Sequence, residues 1–225
     1  MVAFAKIEKA ALKRVGDKEL QDRFKHRIPK LKNAAELRKV PDDRYLSLIA
    51  LRIFRAGLKH EMVDAKWPAF EKAFHGFDPR RVRAMSDEAV EAMMKNAALI
   101  RHLGKLKAVH ANAAAVLALA AETGGVGAYL ADWPGENIVG LWDDLAKRFA
   151  HLGGGSGPQF LRMAGKDTFT LSDWVVKALN QWGAFDGTPK GKADRARVQA
   201  AFNAWAKETG KPLAYLSMTL AASVD

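Results

Sequence analysis

The chain has 225 residues, 49% of them hydrophobic and 27% charged, enough for one sizeable folded domain rather than a disordered or fibrous chain. Its 36 Lys and Arg against 25 Asp and Glu leave a net charge of +11, which suits a polyanionic partner, nucleic acid ahead of a membrane surface. The absence of cysteine excludes disulfides, thiolate zinc sites, iron–sulfur clusters and cysteine nucleophiles.

The basic excess is concentrated early: residues 1–45 hold 13 Lys and Arg against 7 Asp and Glu, a net of +6. A basic protein with no polyanionic partner has the same composition, so charge alone leaves both readings open. Residues 1–6 lack the apolar core of a signal peptide, and no stretch reaches the roughly 20 apolar residues needed to span a bilayer. The expectation is a soluble cytoplasmic protein, nucleoid-associated if bacterial, with no membrane partner.

Taken in chain order, the pattern is helical. Apolar residues recur at helical spacing over 4–24, with Lys and Arg between them, and stop before Pro29. Pro41-Asp42-Asp43 starts a second helix, its acidic first turn complementing the helix dipole, which runs to about Gly57. A third covers roughly 61–74 and breaks at Phe77-Asp78-Pro79; Ser86 then caps a short fourth. An alanine-rich helix over about 102–122 stops at Gly124-Gly125. Trp133-Pro134-Gly135 is a turn, followed by helices at about 138–150 and 157–165. Thr170 opens another, to about 182, and helices near 193–209 and 212–223 end the chain. No run alternates long enough for a strand, so the fold class is all-α: a compact helical bundle with a central cleft. One domain over 1–225 is expected, its basic N-terminal helix packing with the C-terminal helices 193–223.

Residues 145–180 carry the chemistry. Gly153, Gly154, Gly155 and Gly157 lie between two helical segments, where glycines permit positive φ and close backbone approach. The unsatisfied N–H groups at the start of the following helix attract an anion, and Pro158 is allowed in its first turn. A flexible linker is the competing reading. Asp173 then heads an apolar run. Thr170-x-x-Asp173 matches a capping box, so this acid has a purely structural explanation as well as a catalytic one.

Leu152-Gly-Gly-Gly-Ser-Gly157 followed by Leu171-Ser172-Asp173 resembles the signature of the helix-hairpin-helix DNA glycosylase superfamily. Ala56-Gly57-Leu58, Trp67-Pro68-Ala69-Phe70, the run from Ala73 to Val82, Ile100 to Lys105, and Asn112-Ala113 are similar to the 3-methyladenine DNA glycosylase I family. The resemblance covers roughly residues 45–180. It implies that Gly153, Gly155 and Gly157, with Gln159 beside them, bind DNA phosphate, and that Asp173 is the catalytic acid. Gln159 falls where strand-cleaving members carry a lysine nucleophile, which implies a monofunctional enzyme, although Lys166 lies close by. Two departures concern the base: Arg52 stands where the family has a base-reading Glu, and His60 where it has an aromatic. The family's Cys/His zinc site is impossible in this chain.

The expected function is therefore a monofunctional DNA glycosylase that flips a damaged base from duplex DNA and hydrolyses its N-glycosidic bond, as a monomer, with no metal or other cofactor. Arg52 and Arg55, at i and i+3 on one helix face, are either the solvent side of an amphipathic helix or groups that reach the base or a strand. His60 follows the same logic. The six tryptophans mostly fit core spacing, and core packing is favoured over stacking even for Trp174, the one beside the proposed acid. Lys25, Arg27, Lys30 and Lys32 are further phosphate candidates or a solvated face. The alternative from another class is a non-enzymatic duplex-binding or lesion-sensing protein built on the same hairpin; a helical interaction protein with incidental basicity is a third.

Overall fold

The computed structural model describes residues 2–225 and their side chains, that of Arg27 excepted. The helices are α1 (Phe4–Val15), α2 (Asp17–Arg27), α3 (Ala34–Arg38), α4 (Asp42–Arg55) and α5 (His60–Ala73). Then come α6 (Pro79–Arg83), α7 (Asp87–Ala92), α8 (Leu103–Thr123), α9 (Val126–Asp132) and α10 (Ile138–Arg148). The last four are α11 (Ser156–Ala164), α12 (Asp173–Gln181), α13 (Lys192–Thr209) and α14 (Leu213–Ala222). There is no strand among the described residues, and the class is all-α as expected.

Three expectations need correction. The helix predicted over 4–24 is two helices: Gly16, at φ 79°, closes α1 by donating to the Leu12 carbonyl, and Asp17 and Glu19 begin α2. Second, α3, α6 and α9 were not anticipated. Third, α12 begins at Asp173, not Thr170. Thr170 is buried in the extended approach, and Ser172 is the cap, its Oγ accepting from Val175 N at 3.3 Å.

The chain forms two compact units. The first comprises residues 1–31, 133–141 and 161–225. There α1 lays Phe4, Ile7 and Ala11, all fully buried, toward the C-terminal helices. Phe4 meets Trp205 of α13 at 5.7 Å between ring centroids, and Trp205 Nε1 donates to the Val2 carbonyl. Phe169 stacks on Phe202 at 4.2 Å, which fixes the segment leading to α12 against α13. Asp167 accepts from the N–H groups of Leu213 and Ala214 and so caps α14.

The second unit comprises residues 32–132 and 142–160. Its core is aromatic: Trp67 stacks between Phe70 (5.1 Å) and Phe77 (5.5 Å), and Phe54 of α4 packs on Phe70 at 4.6 Å. Glu71 ties this stack to α4 by accepting both Arg44 Nη atoms at 3.0 Å and Ser47 Oγ at 2.7 Å. Asn112 of α8 both donates to and accepts from the backbone of Ala150, fixing the chain just after α10. Gly127 admits the closest approach in the unit, since a Cβ there would stand 2.4 Å from the Leu37 carbonyl oxygen. Among the described residues no single helix is long and apolar enough to cross a membrane; α8 and α9 pass that test only as a pair bent by 60°.

Candidate nucleic-acid site and candidate acid

In the second unit, α10 gives way to a tight reversal. His151 and Gly154 both take left-handed backbone (φ 62° and 58°), and Leu152 is buried beneath them. Ser156 N closes the turn on the Gly153 carbonyl at 3.2 Å, and Gln159 N reaches the Gly155 carbonyl at 3.3 Å. These bonds leave the N–H groups of Gly153, Gly154, Gly155 and Gly157 without an acceptor among the described residues. Gly153, Gly154 and Gly155 are exposed, as is Gln159. Gly157 is different: it is buried within the first turn of α11, where an added Cβ would stand 3.0 Å from the Leu152 carbonyl oxygen. The four glycines thus divide by role. Gly154 supplies the left-handed turn, Gly157 the close packing, and Gly153 and Gly155 leave backbone open to solvent. The arrangement is a short ordered reversal between two helices, which removes the linker reading.

Asp173 lies in the first unit, as the first helical residue of α12. Because Ser172 performs the capping, the carboxylate is released from that duty: it is exposed and has no hydrogen bond or ion pair among the described residues. It borders a shallow groove with Leu171, Val176, Lys177, Thr188 and Pro189. Trp174 corrects the expectation of core packing: it is 52% exposed, and Lys177 Nζ stands 5.6 Å from its ring centroid. Lys166, the nearby alternative for a lyase nucleophile, donates to the Trp133 carbonyl at 2.7 Å.

Arg52 and Arg55 share a face of α4 but not a fate. Arg55 is held by a bidentate pair with Asp64 of α5, with N–O distances of 2.7–2.9 Å. Arg52 is partly buried; among the described residues its side chain reaches only Ser156 Oγ, at 3.4 Å, and its Nε is buried without a partner. Burial first, and then the charge of Arg55, hold its pKa below the ordinary guanidinium value. His60 is exposed at the start of α5. Of the early basic residues, Lys25 and Lys30 are exposed and Lys32 is partly buried; the side chain of Arg27 lies outside the described residues.

Sequence reasoning gave no role to Lys105. It donates to the carbonyls of Ala56 (2.8 Å) and Phe54 (3.4 Å), closing the C-terminal end of α4. Burial and the charge of Arg52 lower its pKa. Nothing local could have flagged it, because its partners lie about fifty positions away in the chain.

Residues 37–150 match the family model of methyladenine glycosylases. The DNA-3-methyladenine glycosylase 1 of Escherichia coli is 39% identical over 74 residues, which are 33% of this chain and 40% of that protein. The Haemophilus influenzae DNA-3-methyladenine glycosylase is 41% identical over 71 residues, 32% of this chain and 38% of that protein. The chain therefore spans about two fifths of the length of the curated relatives it matches. A mutant of 3-methyladenine DNA glycosylase I from Staphylococcus aureus superposes with a TM-score of 0.53 at 21% identity, covering 74% of this chain and 95% of that one. The Methanocaldococcus jannaschii 8-oxoguanine glycosylase/lyase, solved with DNA containing 8-oxoguanine, gives 0.55 at 13% identity over 96% and 93%. At these identities the structural likeness is one of fold.

Proposed function

Because this chain belongs to the methyladenine glycosylase family, we propose that it is a monofunctional DNA glycosylase, acting as a cytoplasmic monomer on duplex DNA that contains a damaged base. The observation that carries the reading is the unpaired, exposed carboxylate of Asp173 at the head of α12. A glycosylase must take its target out of the stack, because the glycosidic bond is unreachable inside a duplex. The net charge of +11 brings the protein to the phosphate backbone and makes binding strongly salt-dependent. The free amides of Gly154, Gly155 and Gly157 then hold a backbone phosphate, with Gly153 and Gln159 beside them.

As the glycosidic bond breaks, positive charge develops on the sugar. Asp173 stabilises that charge and orients or deprotonates the attacking water. No protein nucleophile is assigned: Gln159 is not one, and Lys166 is engaged on a backbone carbonyl. The bond is cleaved by water, and the strand is left intact. Arg52, Arg55, His60 and Trp174 are the side chains assigned to the base or the strands, and Trp174 is suited to stacking because its ring is exposed. No metal or redox cofactor enters the scheme.

The test is Asp173→Asn, assayed for base release from alkylated, deaminated and oxidised duplexes and, separately, for duplex affinity. Base release drops by about 100-fold or more, within the range a positioned acid or base supplies, while affinity is retained. If wild-type protein binds duplex DNA yet releases no base from any of these substrates, the chain is a binding or lesion-sensing protein instead.

A further inference from the structure

Arg52 is the anomaly of the second unit. A guanidinium has five N–H donors and no acceptor, so burying part of it without oxygen partners is costly to the folded protein. In native structures a buried donor left unpaired calls for a specific explanation. Only two side-chain atoms among the described residues are buried without a partner, and Arg52 Nε is one of them. The rest of the group is barely better served, since Ser156 Oγ at 3.4 Å is at the long limit of a hydrogen bond.

The surroundings sharpen the anomaly. No carboxylate pairs with Arg52 among the described residues. Asp64 is already committed to Nε and Nη2 of Arg55. The charges that Arg52 does feel are positive: Arg55 on its own helix, and Lys105 across from the end of α4. Lys105 spends its ammonium on the carbonyls of Ala56 and Phe54, which neutralise nothing. Two partly buried cations, Arg52 against the Ser156 hydroxyl and Lys105 at the C-terminal end of α4, thus feel each other's charge and pair with no anion among the described residues.

The geometry points to Arg52 as a nucleic-acid contact whose planar fork, with Lys105 and Ser156 Oγ beside it, takes a pair of oxygen acceptors from DNA and turns away cationic groups. This rests on the duplex-DNA reading above. A guanidinium engages two oxygens at once in a fixed geometry that an ammonium cannot copy. Two parts of the nucleic acid present such a pair: the non-bridging oxygens of a phosphodiester, and the acceptor edge of a base bearing a carbonyl. In the second case a base that carries a formal positive charge, as an N3-alkylated adenine does, gains nothing from Arg52.

The experiment uses the full chain with Arg52→Met, which keeps the length of the stem, and Arg52→Lys, which keeps the charge but loses the fork. Melting of the free variants verifies folding; Arg52→Met melts no lower than wild type, because it removes a poorly paired charge. Duplex affinity is measured across salt concentrations, and base release across a panel of neutral carbonyl-bearing and cationic lesions. If the oxygens are a phosphate's, Arg52→Met weakens every duplex alike by about tenfold and lowers the salt slope by about one, while Arg52→Lys keeps the slope. If they are a base's, the slope stays. Both variants then lose about tenfold or more in release of carbonyl-bearing bases relative to cationic ones. Folded variants that change neither the slope nor the lesion preference overturn the proposal. Wild-type protein that binds duplexes but releases no base defeats the glycosylase reading alone, and the salt slope still decides on Arg52.

Discussion

The reversal after α10 and the head of α12 are built from opposite chemistry. The reversal offers backbone amides that have no acceptor among the described residues, those of Gly153, Gly154, Gly155 and Gly157, with the Arg52 guanidinium against Ser156. The head of α12 offers one free acceptor, the Asp173 carboxylate, beside an exposed indole. Both follow a short connection between helices, and both begin a nine-residue helix. What separates them is who satisfies the helix start. At α12 the Ser172 hydroxyl does so, which leaves Asp173 idle. At α11 no side-chain cap is present among the described residues, so the amides themselves are idle. Free amides hold an anion without changing it, whereas a lone carboxylate can answer a charge that develops during a reaction. The proposed function accordingly gives binding to the first region and chemistry to the second.

That division predicts a cross-over between two variants. Asp173→Asn loses about 100-fold or more in the single-turnover rate of base release, with duplex affinity within about threefold of wild type, since the proposed phosphate donors are untouched. Gly157→Ala does the reverse. Its methyl meets the Leu152 carbonyl oxygen at 3.0 Å, so the first turn of α11 has to move and its amides lose their alignment. Affinity falls about tenfold, while the rate at saturating enzyme stays within about threefold. Gel-shift titrations and single-turnover kinetics on the same lesion duplex read both. Equal losses in affinity and rate for both variants would break the division.

Trp174 tests the boundary between the two roles with a smaller effect. Its ring is 52% exposed, and Lys177 Nζ stands 5.6 Å from its centroid. Stacking against an unpaired base is worth about 1–3 kcal/mol by alanine substitution. Trp174→Ala therefore weakens binding to a duplex containing an unpaired base by about fivefold or more, and leaves an intact duplex within about twofold. Competition titrations with the two duplexes measure the ratio. A ratio that does not change means that the indole lies away from the DNA.

The two regions were unequally legible in the sequence. Gly154 and Gly155 announce a turn by composition, and Pro41-Asp42-Asp43 announces α4, because both signals are local. Thr170-x-x-Asp173 announces the wrong cap. The pattern is common, and the burial of Thr170 in the extended segment that Phe169 anchors depends on α13, thirty residues on. The start of α9 had no local signal, since its Val126 N–H is satisfied by Asp42, 84 positions earlier. The break at Gly16 did carry one, a glycine followed by acidic residues, but the apolar spacing continues across it. For Arg52 and Arg55 the sequence places both on one face, and only the fold assigns Asp64 to one and no carboxylate to the other.

The smallest predicted effect concerns Gly155, the glycine that the fold itself does not require. Its φ is not positive, and a Cβ there meets nothing within 4 Å, so Gly155→Ala has no steric cost in the free protein. Melting temperature stays within about 1 °C of wild type. Gly157→Ala, which presses on a backbone oxygen, loses about 2–4 °C for each kcal/mol of strain in a chain of this size. Duplex affinity of Gly155→Ala holds within about twofold, because the amide keeps its direction and the methyl points into open space. The pair of variants thus separates two uses of glycine in one reversal: space for packing at Gly157, exposure of an N–H at Gly155. An undisturbed melt with a tenfold loss of affinity at Gly155 would sharpen the comparison further, since only a strand closing directly onto that face could be obstructed by a methyl that touches no protein atom.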